Sequence, residues 1–132
     1  MKVSSIIEHK GSEAFTISSH ANLKAAANVM HDRCLRALVV LKDRKVFGVI
    51  SEHDIVVALA RHGQLAGTIH VSDMLSRQLV SIGTTDTIRR AMSVMTLGQV
   101  WHLPVINDGE LMGIVSVGDI VKHCVEELES GM

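Results

Sequence analysis

Gly113-Ile114-Val115-Ser116-Val117-Gly118-Asp119 has a counterpart 65 positions earlier, Gly48-Val49-Ile50-Ser51-Glu52-His53-Asp54. Working outward from the pair, the same shift of 65 carries Ile17 onto Ile82, Val29 onto Val94, Met30 onto Met95, Leu38 onto Leu103 and Val40 onto Val105. It also carries Asp43 onto Asp108, Ile55 onto Ile120 and Val56 onto Val121 without a gap. Apolar positions kept in one order over so long a stretch mark an internal duplication, and two copies imply a facing pair rather than an extended solenoid.

Each copy has the same internal plan. Ala14 to Ser18 alternates as a short strand, and Leu79 to Ile82 is its expected equivalent. Leu23, Ala26, Ala27 and Met30 recur at helical spacing after Asn22, as Ile88, Ala91, Met92 and Met95 do in the second copy. Met30, Met92 and Met95 are assigned to core faces, and Cys34, at the end of the first long helix, to the core as a small apolar residue. Ala37–Leu41 and Val46–Ile50 are apolar runs of strand length, matched by Leu103–Ile106 and Leu111–Val115, and Asn107-Asp108-Gly109 predicts a hairpin turn. Such runs predict strands covered on both faces. Ser51 and Ser116 then open helices, the second reaching about Leu128. Val3, Ile6 and Ile7 form a short apolar turn before a break at Lys10-Gly11-Ser12, and Val71–Leu75 reads as one helical turn capped by Ser72. The expected fold is α+β (α/β): two pseudo-symmetric β-α-β-β-α repeats packed sheet to sheet, helices outside. Residues 1–62 hold the first repeat with its N-terminal segment, and 63–132 the linker and the second repeat.

Composition narrows the function. The 132 residues are 47% hydrophobic and 20% charged, with mean hydropathy +0.28, too apolar for disorder. No apolar run approaches the ~18 residues of a membrane helix, and the start lacks the apolar stretch of a signal peptide. The formal net charge of -1 provides no basic field for nucleic acid. One Trp, two Phe and no Tyr provide no stacking platform for single strands. Cys34 and Cys124 fit no CxxC spacing and suggest a reduced, cytoplasmic setting. The eight histidines are scattered without metal-ligand spacing. No nucleophile with a positioned base, phosphate-cradling G-x-x-x-x-G-K-[ST] or carboxylate pair for acid–base work stands out, so the expectation is no enzyme.

The paired G-h-h-S-x-x-D motifs, Leu103-Pro104-Val105, and Val71-Ser72-Asp73-Met74-Leu75-Ser76 before the second repeat together resemble a tandem pair of CBS domains, a Bateman module. The small stand-alone bacterial proteins of that family are similar over the whole chain. The resemblance implies an adenosine ligand (AMP, ADP, ATP, NAD(H) or S-adenosylmethionine) in the inter-repeat cleft, acting as effector rather than as a catalytic cofactor. It implies one composite site from Ser116 and Asp119 with Phe15, Leu35, Arg36 and Ala37. The other would combine Ser51 and Asp54 with Ser76, Val80, Val100, Trp101 and His102. Lys10, Arg33, Arg36, His53 and His102 are phosphate-side candidates, with Lys10 and Arg33 read as ordinary solvated charges. His53 stands where family members often carry Arg, Trp101 where they carry Arg before His, and Val39 where the second copy has Pro104, so unequal sites are expected.

The chemistry of the motif agrees. An ionised carboxylate accepts from both hydroxyls of a cis-diol, and a helix start favours an anion. Ser-x-x-Asp at a helix start is equally a capping pattern, worth about 1 kcal/mol of helix stability. The resemblance thus implies a homodimeric regulatory module that binds a nucleotide and signals to a regulated protein by shifting the population of repeat or dimer arrangements. A ligand-free scaffold is the alternative.

Overall fold

The computed structural model describes residues 1–11, 14–75 and 79–130. In chain order the elements are α1 (Val3–Lys10), β1 (Thr16–Ser18), α2 (Leu23–Arg33), β2 (Ala37–Lys42), β3 (Lys45–Ser51) and α3 (Glu52–His62). Two 3-10 segments follow, Gly63–Thr68 and Val71–Met74, and then α4 (Ile88–Gly98), β4 (His102–Asn107), β5 (Glu110–Ser116) and α5 (Val117–Ser130). They form two compact units: Phe15–Leu79, and Val80–Met132 with Met1–Ala14.

The units are built alike because their sequences repeat. In the Phe15–Leu79 unit, Leu23, Ala26 and Met30 bury one face of α2, and the Asn22 side chain accepts from the Ala25 N–H at 2.9 Å to start the helix. In the other unit Ile88, Ala91 and Met95 bury the matching face of α4, and Thr87 accepts from the Arg90 N–H at 3.0 Å. Both helices end at a left-handed residue, Cys34 (φ 55°) and Gln99 (φ 53°). Each β-ladder closes through a tight turn with two positive φ angles, Asp43-Arg44 and Asp108-Gly109, the twist a two-residue hairpin needs. Consecutive residues Leu38, Val39 and Val40 of β2, and Leu103, Pro104 and Val105 of β4, are all buried. Neighbouring strand residues point to opposite faces, so both faces of β2 and of β4 are covered, as expected.

The structure departs from the sequence reading at the chain's start and at four other places. The apolar turn at Val3–Ile7 is a two-turn helix, α1, that stops at Gly11 (φ 93°). Its first backbone amides are held from outside: Val3 N–H donates to the Asp86 carbonyl at 2.8 Å and Ser4 N–H to Thr84 at 2.9 Å. Val71 and Ser72 make the same bonds in the other unit, to Ala21 at 2.8 Å and Ser19 at 3.2 Å. The segment at 3–7 is therefore a copy of 71–75, displaced by 68 rather than 65. The helical turn there starts after His70, so Ser72 lies inside it and caps nothing. The strand expected at Leu79–Ile82 is reduced to a single parallel bridge, Ile82 to Val105. Proline is the cause. In the first repeat the Val39 N–H donates to the Phe15 carbonyl at 3.0 Å; Pro104 stands in Val39's place and has no N–H to offer Val80. Met92 is 47% exposed on α4, one residue beyond the buried Ile88–Ala91–Met95 stripe. Cys34 is exposed because the left-handed turn that ends α2 swings it out of the helical face.

Candidate functional site

In each unit β2 or β4 brings the residues at its start next to the end of β3 or β5, where the motif helix begins. Ala37 is paired with Ser51, and His102 with Ser116. One residue earlier, the Arg36 carbonyl accepts from the Glu52 N–H at 3.0 Å, and the Trp101 carbonyl from the Val117 N–H at 2.9 Å. These bonds take up one of the amides that every helix start leaves unpaired. The strand starts, Leu35-Arg36-Ala37 and Val100-Trp101-His102, are thus held beside the motif of their own repeat.

The motif glycines serve each unit differently. A Cβ at Gly48 would come within 3.2 Å of Leu75 Cδ1, whereas Gly113 has φ 153°. Both glycines sit beside the residue where the hairpin register slips, Val40/Leu41 and Val105/Ile106. A side chain is thus disfavoured at both positions, by close approach in one case and by backbone conformation in the other.

At the start of α3, Asp54 Oδ2 accepts from the Ser51 backbone N–H at 2.8 Å and from Ser51 Oγ at 3.0 Å, while Ser51 Oγ accepts from the Asp54 N–H at 3.4 Å. This is a complete capping box. At the start of α5 the same pair closes, Ser116 N–H to Asp119 Oδ2 at 2.8 Å and Asp119 N–H to Ser116 Oγ at 3.1 Å. Among the described residues, neither Oδ1 accepts a hydrogen bond, so each carboxylate presents one uncommitted oxygen at a helix N-terminus.

Asp119 differs from Asp54 in having a cation. Lys10 Nζ, from the end of α1, donates to Asp119 Oδ2 at 2.7 Å and to the Ile114 carbonyl at 2.9 Å. Burial by itself raises the Asp119 carboxyl. The hydrogen bond from Lys10, those from Ser116 and the nearby ammonium charge outweigh it and hold the group below its ordinary value. The reading of Lys10 as a solvated charge is therefore corrected: its side chain is tied to the motif. Arg33 is exposed as expected, with its guanidinium 4.6 Å from the centre of the Phe15 ring.

The remaining candidates fall as follows. His53 and Arg36 are exposed; Leu35, Ala37, Val80, Val100 and His102 are half-buried. Val80 and Val100 pack at the edge of the core built on Leu103, Val105 and Val115. Trp101 is 73% exposed. Ser76 lies outside the described residues. Lys10 and Asp119 line a small cavity of about 90 Å³ with Ile6, His9, Lys122, His123 and Glu126. A wider, open groove of about 530 Å³ in the other unit runs past Leu35, Arg36 and Glu52 but holds neither motif carboxylate. No group of three or more His, Cys, Asp or Glu among the described residues could hold a metal ion. None of the helices formed by them is long and apolar enough to cross a membrane.

The comparisons agree with this architecture. The family model of the CBS domain matches twice, over residues 3–61 and 71–126. A crystal structure of a CBS-domain-containing protein from Agrobacterium tumefaciens superposes with a TM-score of 0.88 at 30% identity, over 94% of this chain and 99% of that one. The mitochondrial CBS domain-containing protein CBSX3 of Arabidopsis thaliana is 28% identical over 95% of this chain, which spans 65% of that protein's length. Hypoxic response protein 1 of Mycobacterium tuberculosis is 28% identical over 83% of this chain and 78% of its own. A structure of Hypoxic Response Protein I with two coordinated zinc ions aligns at TM-score 0.78 and 25% identity, over 93% of this chain and 98% of that one. Two family matches, one on each repeat, account for the duplication read from the sequence: the chain belongs to the CBS-domain family, as a tandem pair.

Proposed function

We propose that this chain is a non-enzymatic regulatory module that binds an adenine nucleotide through its motif carboxylates. Pairs of CBS domains generally bind adenine-nucleotide-like ligands and regulate, and the finer assignment rests on the site. The observation that carries it is the uncommitted Oδ1 of Asp54 and of Asp119, each presented on a fixed helix start whose serine already orients the other oxygen. A carboxylate so held accepts from a ribose diol at little further entropic cost. AMP, ADP, ATP and NAD(H) all present that diol. No catalytic cofactor belongs to this reading, and the effector acts by favouring one of two populated arrangements. A homodimer is part of the proposal: α5 exposes Val121, Val125 and Leu128 at helical spacing, and α3 exposes Val56 and Leu59. So is a cytoplasmic setting, consistent with the free thiols of Cys34 and Cys124.

One observation favours a second reading, a ligand-free interaction module. The capping box at Ser51–Asp54 is complete without any ligand, so helix capping alone accounts for both residues. Thermal unfolding with a panel of AMP, ADP, ATP, NADH, S-adenosylmethionine and GMP separates the two. A ligand at a hundred times its Kd stabilises the folded state by about 2.7 kcal/mol. A rise in Tm with adenosine ligands but not with GMP supports the sensor. No rise with any member supports the interaction module.

A further inference from the structure

The shift of 65 that relates the two units also relates two of their surfaces. The open groove of about 530 Å³ in the Phe15–Leu79 unit is lined by the apolar Met30, Leu35, Ile55 and Val56 and by the exposed Arg36 and Glu52. In the other unit Trp101 and Val117 stand where the groove has Arg36 and Glu52, and Val121 where it has Val56. Trp101 is the single tryptophan of the chain and is 73% exposed, with Val117 and Val121 exposed as well. One unit therefore offers a groove with charged residues at its edge, and the other an apolar surface carrying a large aromatic. Exposed apolar side chains of this kind mark contact surfaces, and Trp and Arg dominate contact energies when seated in pockets.

The two units also carry opposite charge. The Phe15–Leu79 unit has eight Lys and Arg against five Asp and Glu, net +3, and the other has five against nine, net −4. The hairpin turns show the difference locally, with Lys42, Arg44 and Lys45 around Asp43 in one and only Asp108 and Glu110 charged in the other. Two copies meeting through like units would set +3 against +3 and −4 against −4. Meeting through unlike units sets opposite charges together, and such complementarity steers encounter and fixes register. It also brings Trp101 of one copy to the groove edged by Arg36 of the other, and a guanidinium stacks well on an indole face.

We propose that the homodimer is reciprocal and head-to-tail, each copy seating Trp101 in the groove between α2 and α3 of the other. This rests on the homodimer reading above and adds which unit meets which. The same contact made twice closes a twofold pair.

Sedimentation tests it with two variants at exposed positions: Trp101→Glu, which removes the aromatic, and Val56→Glu, which blocks the groove. Circular dichroism confirms that both are folded. Each alone is expected to be monomeric where wild type is dimeric. Mixed in equal amounts they are expected to dimerise, because the intact Trp101 of one meets the intact groove of the other. The wild-type dissociation constant is expected to rise about tenfold from about 50 to about 500 mM NaCl as screening removes the attraction; contact between like units predicts a fall. Either variant dimerising as tightly as wild type, a mixture that stays monomeric, or a wild-type dimer that tightens in salt overturns the head-to-tail pairing and leaves the homodimer standing. A monomeric wild type overturns both.

Discussion

The Lys10–Asp119 pair can be weighed against an internal control, since Asp54 has the same capping box and, among the described residues, no cation. Asp54→Asn keeps an acceptor for Ser51 and loses only the favourable charge at the helix start, about 0.5 kcal/mol. Asp119→Asn loses that and its bond to Lys10. The bond is short, 2.7 Å, but the two side chains retain 33% and 23% of their exposure, so solvent screening limits it to about 0.5–1 kcal/mol. Asp119→Asn should therefore cost about 1–1.5 kcal/mol in all. For a chain of this size that is a Tm about 2–4 °C below that of Asp54→Asn. Urea unfolding of wild type, Lys10→Met, Asp119→Asn and the double variant at pH 7 gives the pair alone, with an expected coupling of about 0.5–1 kcal/mol. The coupling should shrink in 1 M NaCl as the Debye length falls to about 3 Å. Acid should remove it as well. The folded carboxyl lies below its ordinary 3.8, so its stabilising contribution is fully present above that value and is lost as pH falls through the lower folded pKa. A coupling below about 0.2 kcal/mol, or Asp54→Asn proving the costlier of the two, refutes the reasoning.

The other predictions concern each repeat's scaffold and the helix faces. Gly113→Ala, at φ 153°, should destabilise by about 1–2 kcal/mol, whereas Gly48→Ala needs only a shift of the Leu75 side-chain end and should cost less than about 1 kcal/mol; denaturant midpoints decide, and equal costs would contradict the distinction. Pro104→Val restores an amide opposite the Val80 carbonyl, and hydrogen exchange should find that new N–H protected; rapid exchange there would show that proline is not what shortens the second edge strand. Val121→Glu with Leu128→Glu, two exposed positions on α5, should leave the fold intact and halve the mass seen by sedimentation. An unchanged mass would contradict the proposed homodimer through α5.

Much of this was legible in the sequence because repeat, period and cap are local signals. The shift of 65 from Ile17 onward, the helical spacing after Asn22, the Asp108-Gly109 turn and the serine that opens each motif helix all use residues near one another in the chain. Features that depend on distant partners were not legible. The copy at 3–7 is hidden by a displacement of 68, and α1 is held by the Thr84 and Asp86 carbonyls, some eighty residues away. Lys10 meets Asp119 across 109 positions, and nothing in its own neighbourhood distinguishes it from a surface lysine. Met92 and Cys34 were misplaced for a local reason: apolar character assigned them to the core, whereas the buried stripe and the left-handed helix end decide their exposure. The missing strand at 79–82 had a visible signal in Pro104, whose consequence lies in the neighbouring segment.

The central claim is that the motif carboxylates are ligand acceptors as well as helix caps. Isothermal titration of AMP into wild type, Asp54→Asn and Asp119→Asn tests it most directly, with circular dichroism confirming that all three are folded. The account predicts a saturable heat for wild type that at least one substitution abolishes. AMP bound equally well by all three folded proteins, or by none, would contradict it.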